Sequence, residues 1–62
     1  MSMKEYYKMG IRDAINLTKK VKTLGKYLRE EFVSEYSRYA SVYKYIGNVY
    51  YIDSRLDIID IK

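Results

Sequence analysis

The dipeptide Gly47-Asn48, set between Val42-Tyr43-Lys44-Tyr45-Ile46 and Val49-Tyr50-Tyr51-Ile52, constrains this chain more than any other feature. Both flanking runs are rich in β-branched and aromatic residues, the composition of strands. A glycine at the first position of a two-residue loop supplies the positive φ of a type II′ turn, whose twist matches that of the strands it joins. The pattern predicts a hairpin with Ile46 opposite Val49, Tyr45 opposite Tyr50, Lys44 opposite Tyr51 and Tyr43 opposite Ile52. One face would show Tyr43, Tyr45, Tyr50 and Ile52, the other Val42, Lys44, Ile46, Val49 and Tyr51. Apolar bulk on both faces implies a hairpin covered on one side and partly on the other.

A chain of 62 residues makes one domain, and at this size folding buries only about 60% of the surface the unfolded chain exposes. No cysteine is present, which excludes disulfides and thiolate zinc, and no histidine, which removes the usual transition-metal ligands and imidazole bases. A core this small and without a staple implies either an unusually well-packed mini-core or a homodimer, and of the two the homodimer is favoured.

Helical spacing begins at Ile11 and continues through Ala14, Ile15 and Leu17, before Lys19-Lys20-Val21-Lys22-Thr23 interrupts it. A second apolar stripe recurs every four residues through Leu24, Leu28, Phe32, Tyr36 and Ala40, predicting a second helix that ends between Phe32 and Ser41. Gly25 would fall in its first turn at a cost of about 0.5–1 kcal/mol relative to alanine, a position where glycine commonly permits close approach. Residues 3–9 read equally as a short helix or a strand. Asp53-Ser54 has the character of a helix N-cap, with Leu56 and Ile59 packing inward, although Ile58-Ile59-Asp60-Ile61 is also good strand material.

Charge is distributed unevenly. Residues 1–29 carry a balance of +6 and residues 30–62 one of −2, giving a dipolar molecule with one face suited to polyanions. The plainer reading is that lysines keep a tyrosine-rich chain soluble, and that most of the nine tyrosines fill the core with their hydroxyls reaching water. If residues 13–17 open a helix-turn-helix, Ala14, Leu17, Leu24, Tyr27 and Leu28 fall at the apolar offsets such a motif requires. Lys20, Lys22, Gly25, Lys26 and Arg29 would then lie on its exposed side, four of the five cationic, as insertion between phosphate rails demands.

With Asp13-Ala14, Leu17, Leu24, Tyr27, the segment Ile46 to Ile52 and Leu56 in this order, the chain resembles the small winged helix-turn-helix proteins of the excisionase and MerR-like group. Thr18 stands where that group's turn carries glycine, and Val21 rather than Lys19 supplies the apolar plug. The resemblance covers about residues 11–59. It implies an α+β fold of two helices, a two-stranded wing and a short C-terminal helix, acting on double-stranded DNA as a regulator or recombination accessory factor of a virus, plasmid or other mobile element. Lys19, Lys20 and Lys22 would meet phosphates, Lys26 and Arg29 base edges, and Lys44 and Asn48 the backbone or minor groove at the wing.

A different class of reading makes the chain an accessory protein that binds and inhibits a host protein through Phe32, Val33, Tyr36, Tyr39 and Tyr43, aromatic anchors of the kind found at interface hot spots. Stacking of single-stranded bases on tyrosines is a lesser option. Catalysis finds no support: Asp53, Asp57 and Asp60 are better explained by capping and solubility than by magnesium, no base accompanies a nucleophilic serine or tyrosine, and no cofactor is implied. Neither a signal peptide nor an apolar span is present, so a cytoplasmic location and no membrane partner are expected. The scarcity of thermolabile side chains fits a thermophilic host.

Overall fold

Ser2 opens the chain's first helix by a reciprocal cap: its hydroxyl accepts from the Glu5 N–H while the Glu5 carboxylate accepts from the Ser2 N–H. The structure, a computed structural model, describes residues 1–62. Helix α1 spans Met3–Tyr7 and α2 spans Ile11–Leu24. Strands β1 (Lys26–Val33), β2 (Arg38–Tyr45), β3 (Asn48–Asp53) and β4 (Ile58–Ile61) follow, forming one antiparallel sheet in the order β1-β2-β3-β4. No helix is long and apolar enough to cross a membrane.

Helix α2 turns one stripe inward, Ala14, Leu17, Thr18 and Val21, at the 3–4 spacing of an amphipathic helix. Thr18 is buried and its hydroxyl donates to the Ala14 carbonyl at 3.1 Å, so its polar group is satisfied within the helix. The helix stops at Gly25, whose N–H donates to the Val21 carbonyl at 2.9 Å. A Cβ on Gly25 would overlap that same carbonyl oxygen, lie 3.0 Å from the Lys44 carbonyl oxygen and 3.3 Å from the Tyr45 Cβ. The close approach expected of this glycine is therefore real, but it joins a helix to a sheet rather than opening a helix.

The winged helix-turn-helix architecture is not what the chain adopts. Thr18 to Val21, the expected turn, lies inside continuous helix, so Ala14, Leu17 and Leu24 belong to one element. The expected second helix is β1, a turn at residues 34–37 and the start of β2. An apolar recurrence of four is compatible with both periods: residues at i and i+4 share a helix face and also a strand face. Where Gly25 ends the helix, the aromatic and β-branched content of the following residues resolves that ambiguity towards strand. The closing element is also a strand. Asp53 keeps its capping role in a turn, its Oδ1 accepting from the N–H groups of Arg55 (2.9 Å) and Asp57 (3.0 Å). Ile58, Ile59 and Ile61 then pair along β3 instead of coiling. The wing is no free ribbon either, because β1 and β4 occupy both of its edges.

The expected hairpin forms with its loop moved back by one residue. Tyr45 pairs with Asn48, Lys44 with Val49 and Tyr43 with Tyr50, leaving Ile46-Gly47 as the loop. Both loop residues have positive φ, 43° at Ile46 and 77° at Gly47, the signature of a type I′ rather than a type II′ turn. The shift moves each partner by two positions, so the two faces keep the residues expected of them except Ile46, which leaves the strand for the loop. Tyr45 and Tyr50 become diagonal neighbours with ring centroids 6.4 Å apart.

Apolar burial falls in two layers, one on each side of the sheet. On the helix side, Val21 of α2 packs with Tyr50, Ile52, Ile58 and Ile61, supported by Met3, Tyr6 and Leu17 from the helices and Tyr43 and Tyr45 from β2. On the other side Ala40, Val42, Tyr51 and Ile59 form a thin cluster, joined by Val33 and Val49, and no helix contributes to it. Val42 is nevertheless fully buried, with Arg29 and Tyr51 as its cross-strand neighbours.

Candidate nucleic-acid interface

The helix-free side of the sheet collects cations by register. Lys26 of β1 pairs with Lys44 of β2, Lys44 pairs with Val49 of β3, and Val49 exchanges two backbone hydrogen bonds of 2.8 Å with Lys62. Residues paired in register share a face of the sheet, so Lys26, Lys44 and Lys62 stand in one row across all four strands. With strands about 4.8 Å apart, the row extends roughly 14 Å. All three side chains are exposed.

The next row runs Arg29, Val42, Tyr51 and Asp60. The Arg29 Nε donates to Glu31 Oε1 at 2.9 Å, and this bond holds the guanidinium pKa above its ordinary value, with nearby Tyr51 acting in the same direction. The Lys62 ammonium lies 5.0 Å from the centroid of the Tyr51 ring and 3.9 Å from Asp60 Oδ2. Tyr51 itself is only 5% exposed, so it supports the cations around it and offers no free ring face.

Acidic residues gather towards the opposite end of the same face. Glu31, Ala40 and Asp53 form the third row, and Arg38, on the fourth, donates to Asp53 Oδ2 at 2.8 Å. The dipole anticipated from the linear charge distribution thus becomes a gradient along the strands, basic where α2 hands over to β1 and acidic towards the turns at 34–37 and 54–57.

The residues expected to contact DNA are placed differently from the expectation. Lys19, Lys20 and Lys22 lie exposed on the second half of α2, which packs against the other side of the sheet. Lys19 borders a shallow groove with Ile11, Ile15 and Leu56. Lys26 and Arg29 sit on β1 and not on a recognition helix, and they share the open face with Lys44. Asn48 is half-buried, accepts from the Met1 ammonium at 2.8 Å and donates to the Met1 carbonyl oxygen at 3.4 Å, so its amide is already engaged. Lys62 completes the row without having been singled out. Its signal in the sequence is the strand-like Ile58-Ile59-Asp60-Ile61, which places it one step beyond a pairing edge.

Elsewhere the surface is aromatic. Tyr27, Phe32 and Tyr39 are about half or more exposed on the helix side of the β1–β2 ribbon, outside the apolar cluster to which α1 and α2 contribute. Tyr27 packs edge-on to Tyr43 at 5.4 Å and Phe32 to Tyr39 at 5.1 Å. A cavity of about 260 Å³ between the helices and the β3–β4 turn is lined by Tyr6, Tyr7, Met9, Ile11, Ile15 and Leu56 among others, with Asp57 its single ionisable acid. Asp53, Asp57 and Asp60 do not converge on a shared point. No family model, no curated protein and no solved structure matches the chain.

Proposed function

We propose that this protein binds duplex DNA through the helix-free face of its sheet. One observation carries the reading: Lys26, Lys44 and Lys62 stand in register across four strands, with Arg29 one row behind them. A row of roughly 14 Å is comparable to the ~12 Å width of a B-DNA major groove, so its outer lysines reach the phosphates on either side while Lys44 faces the groove. Burial of Tyr51 favours duplex over single strand on this face, since stacking a base needs an exposed ring.

Fluorescence anisotropy of a labelled duplex, titrated at several salt concentrations, tests this. Binding in the micromolar range that weakens with salt is expected, as Lys26, Lys62 and Arg29 on phosphates give a slope of about −3. Replacing Lys26, Lys44 and Lys62 together by glutamine should flatten that slope by about 2. Absence of binding at low salt overturns the reading.

The exposed Tyr27, Phe32 and Tyr39 favour a second reading, a protein partner docked on the β1–β2 ribbon. Such a complex would persist at high salt, where the electrostatic one dissociates.

A further inference from the structure

The sheet ends on one side at β1, an eight-residue strand whose outer edge has no partner. The opposite edge, β4, has only four residues; both edges carry one register break, at Tyr27/Arg29 in β1 and at Tyr51/Ile52 beside β4, so the regular part of β1 is Arg29 to Val33. An open edge presents a ladder of unpaired backbone donors and acceptors. We propose that β1 pairs antiparallel with β1 of a second copy of this chain, making a continuous eight-stranded sheet about a two-fold axis through Glu30.

The charges of β1 select this partner and this register. Arg29 and Glu31 stand on the helix-free face, in register with Val42 and Ala40. When Glu30 faces its own symmetry mate, Arg29 of each copy faces Glu31 of the other. The Arg29–Glu31 pair, 2.9 Å apart within one chain, becomes a four-membered alternating cluster across two. A slip of one pairing step sets Arg29 against Arg29 in one direction and Glu31 against Glu31 in the other. Both slipped registers lose every opposite-charge pair. On the helix side, Phe32, in register with Tyr39 and 51% exposed, lies next to the seam. The two Glu30 carboxylates meet at the axis, each accepting a hydrogen bond of 2.9 Å from a Tyr27 hydroxyl.

The two-fold axis stands perpendicular to the sheet, so both lysine rows point to the same side. The dimer stands on the edge and its charges, independently of what the lysine rows bind.

Light scattering after gel filtration, across a concentration series and without nucleic acid, reads the outcome directly. The expected mass is twice that of the 7.5 kDa chain. Arg29→Glu and Glu31→Arg, each alone, should be monomeric at concentrations where the parent chain is dimeric. An equimolar mixture of the two should recover the dimer, since both pairs between positions 29 and 31 are then opposite in sign, while the Glu30 contact at the axis is the same in every variant. The double swap Arg29→Glu/Glu31→Arg in one chain restores both intrachain and interchain pairs and should be dimeric as well. A parent chain that stays monomeric at every concentration overturns the proposal. So does a dimer that survives both single reversals, with circular dichroism establishing that the variants are folded.

Discussion

Arg38 on β2 and Asp53 at the end of β3 are joined by a 2.8 Å hydrogen-bonded ion pair in which the carboxylate is buried and the guanidinium half-exposed. The other carboxylate oxygen accepts from the backbone of Arg55 and Asp57. One side chain thus fastens β2 to β3 and holds the turn that launches β4. Asp53→Ala should destabilise the fold by about 2–4 kcal/mol, because it removes three acceptor bonds at a site closed to water. Asp53→Asn keeps the oxygen that holds the turn and should cost about half as much. Urea unfolding checks both, as a lowered midpoint at unchanged slope.

Ile46 occupies the left-handed region at φ 43° while 80% exposed, a conformation that crowds a β-branched side chain and earns it no packing. Ile46→Asn produces the Asn-Gly pair that type I′ turns favour. A gain of about 1 kcal/mol is expected, visible as a melting temperature raised by about 4–8 °C.

Gly25 has the opposite character, an ordinary φ of −77° but no room for a methyl group. Gly25→Ala should cost more than about 2 kcal/mol, since the obstacles are the backbone oxygens of Val21 and Lys44 rather than side chains that can turn away. Replacement of the exposed Gly10, where an added Cβ meets nothing, should leave the melting temperature within about a degree or two by the same scale.

Alkaline pH should unfold the protein through its tyrosines. Burial raises the Tyr50 pKa above the usual tyrosine value, and the hydrogen bond to Glu30 raises that of Tyr27. A raised folded-state pKa means that the unfolded chain loses its proton first. The associated stability is complete below about pH 10 and declines as pH climbs through the folded-state values. Thermal midpoints measured from neutral pH upward should fall in that window, and Tyr50→Phe should lessen the fall.

Much of β2 and β3 was legible from residues alone, because alternation between Tyr43, Tyr45, Tyr50 and Ile52 on one side and Val42, Lys44, Val49 and Tyr51 on the other fixes the two faces. The loop was not, since placing Ile46 at positive φ runs against its own preference and only the rest of the sheet holds it there. β1 was illegible for a different reason. Leu24, Leu28, Phe32 and Tyr36 recur at a spacing common to both periods, and Gly25 had to be recognised as the end of a helix. For the candidate interface, charge singled out Lys26, Arg29 and Lys44, but the row they form depends on pairings between distant residues. Lys62 joins it only because Val49 bonds it from both backbone groups.

The strands lie side by side in the order in which they occur along the chain, joined by loops of residues 34–37, 46–47 and 54–57. Each new strand therefore finds its neighbour after closing a loop of a few residues, at little entropic cost. Pairing of this kind can advance one hairpin at a time, with α2 adding its side of the core to a sheet already assembled. A folding time of the order of milliseconds is expected, at the fast end for sheet-rich domains. Such a chain spends little time with its tyrosine-rich strands unpaired.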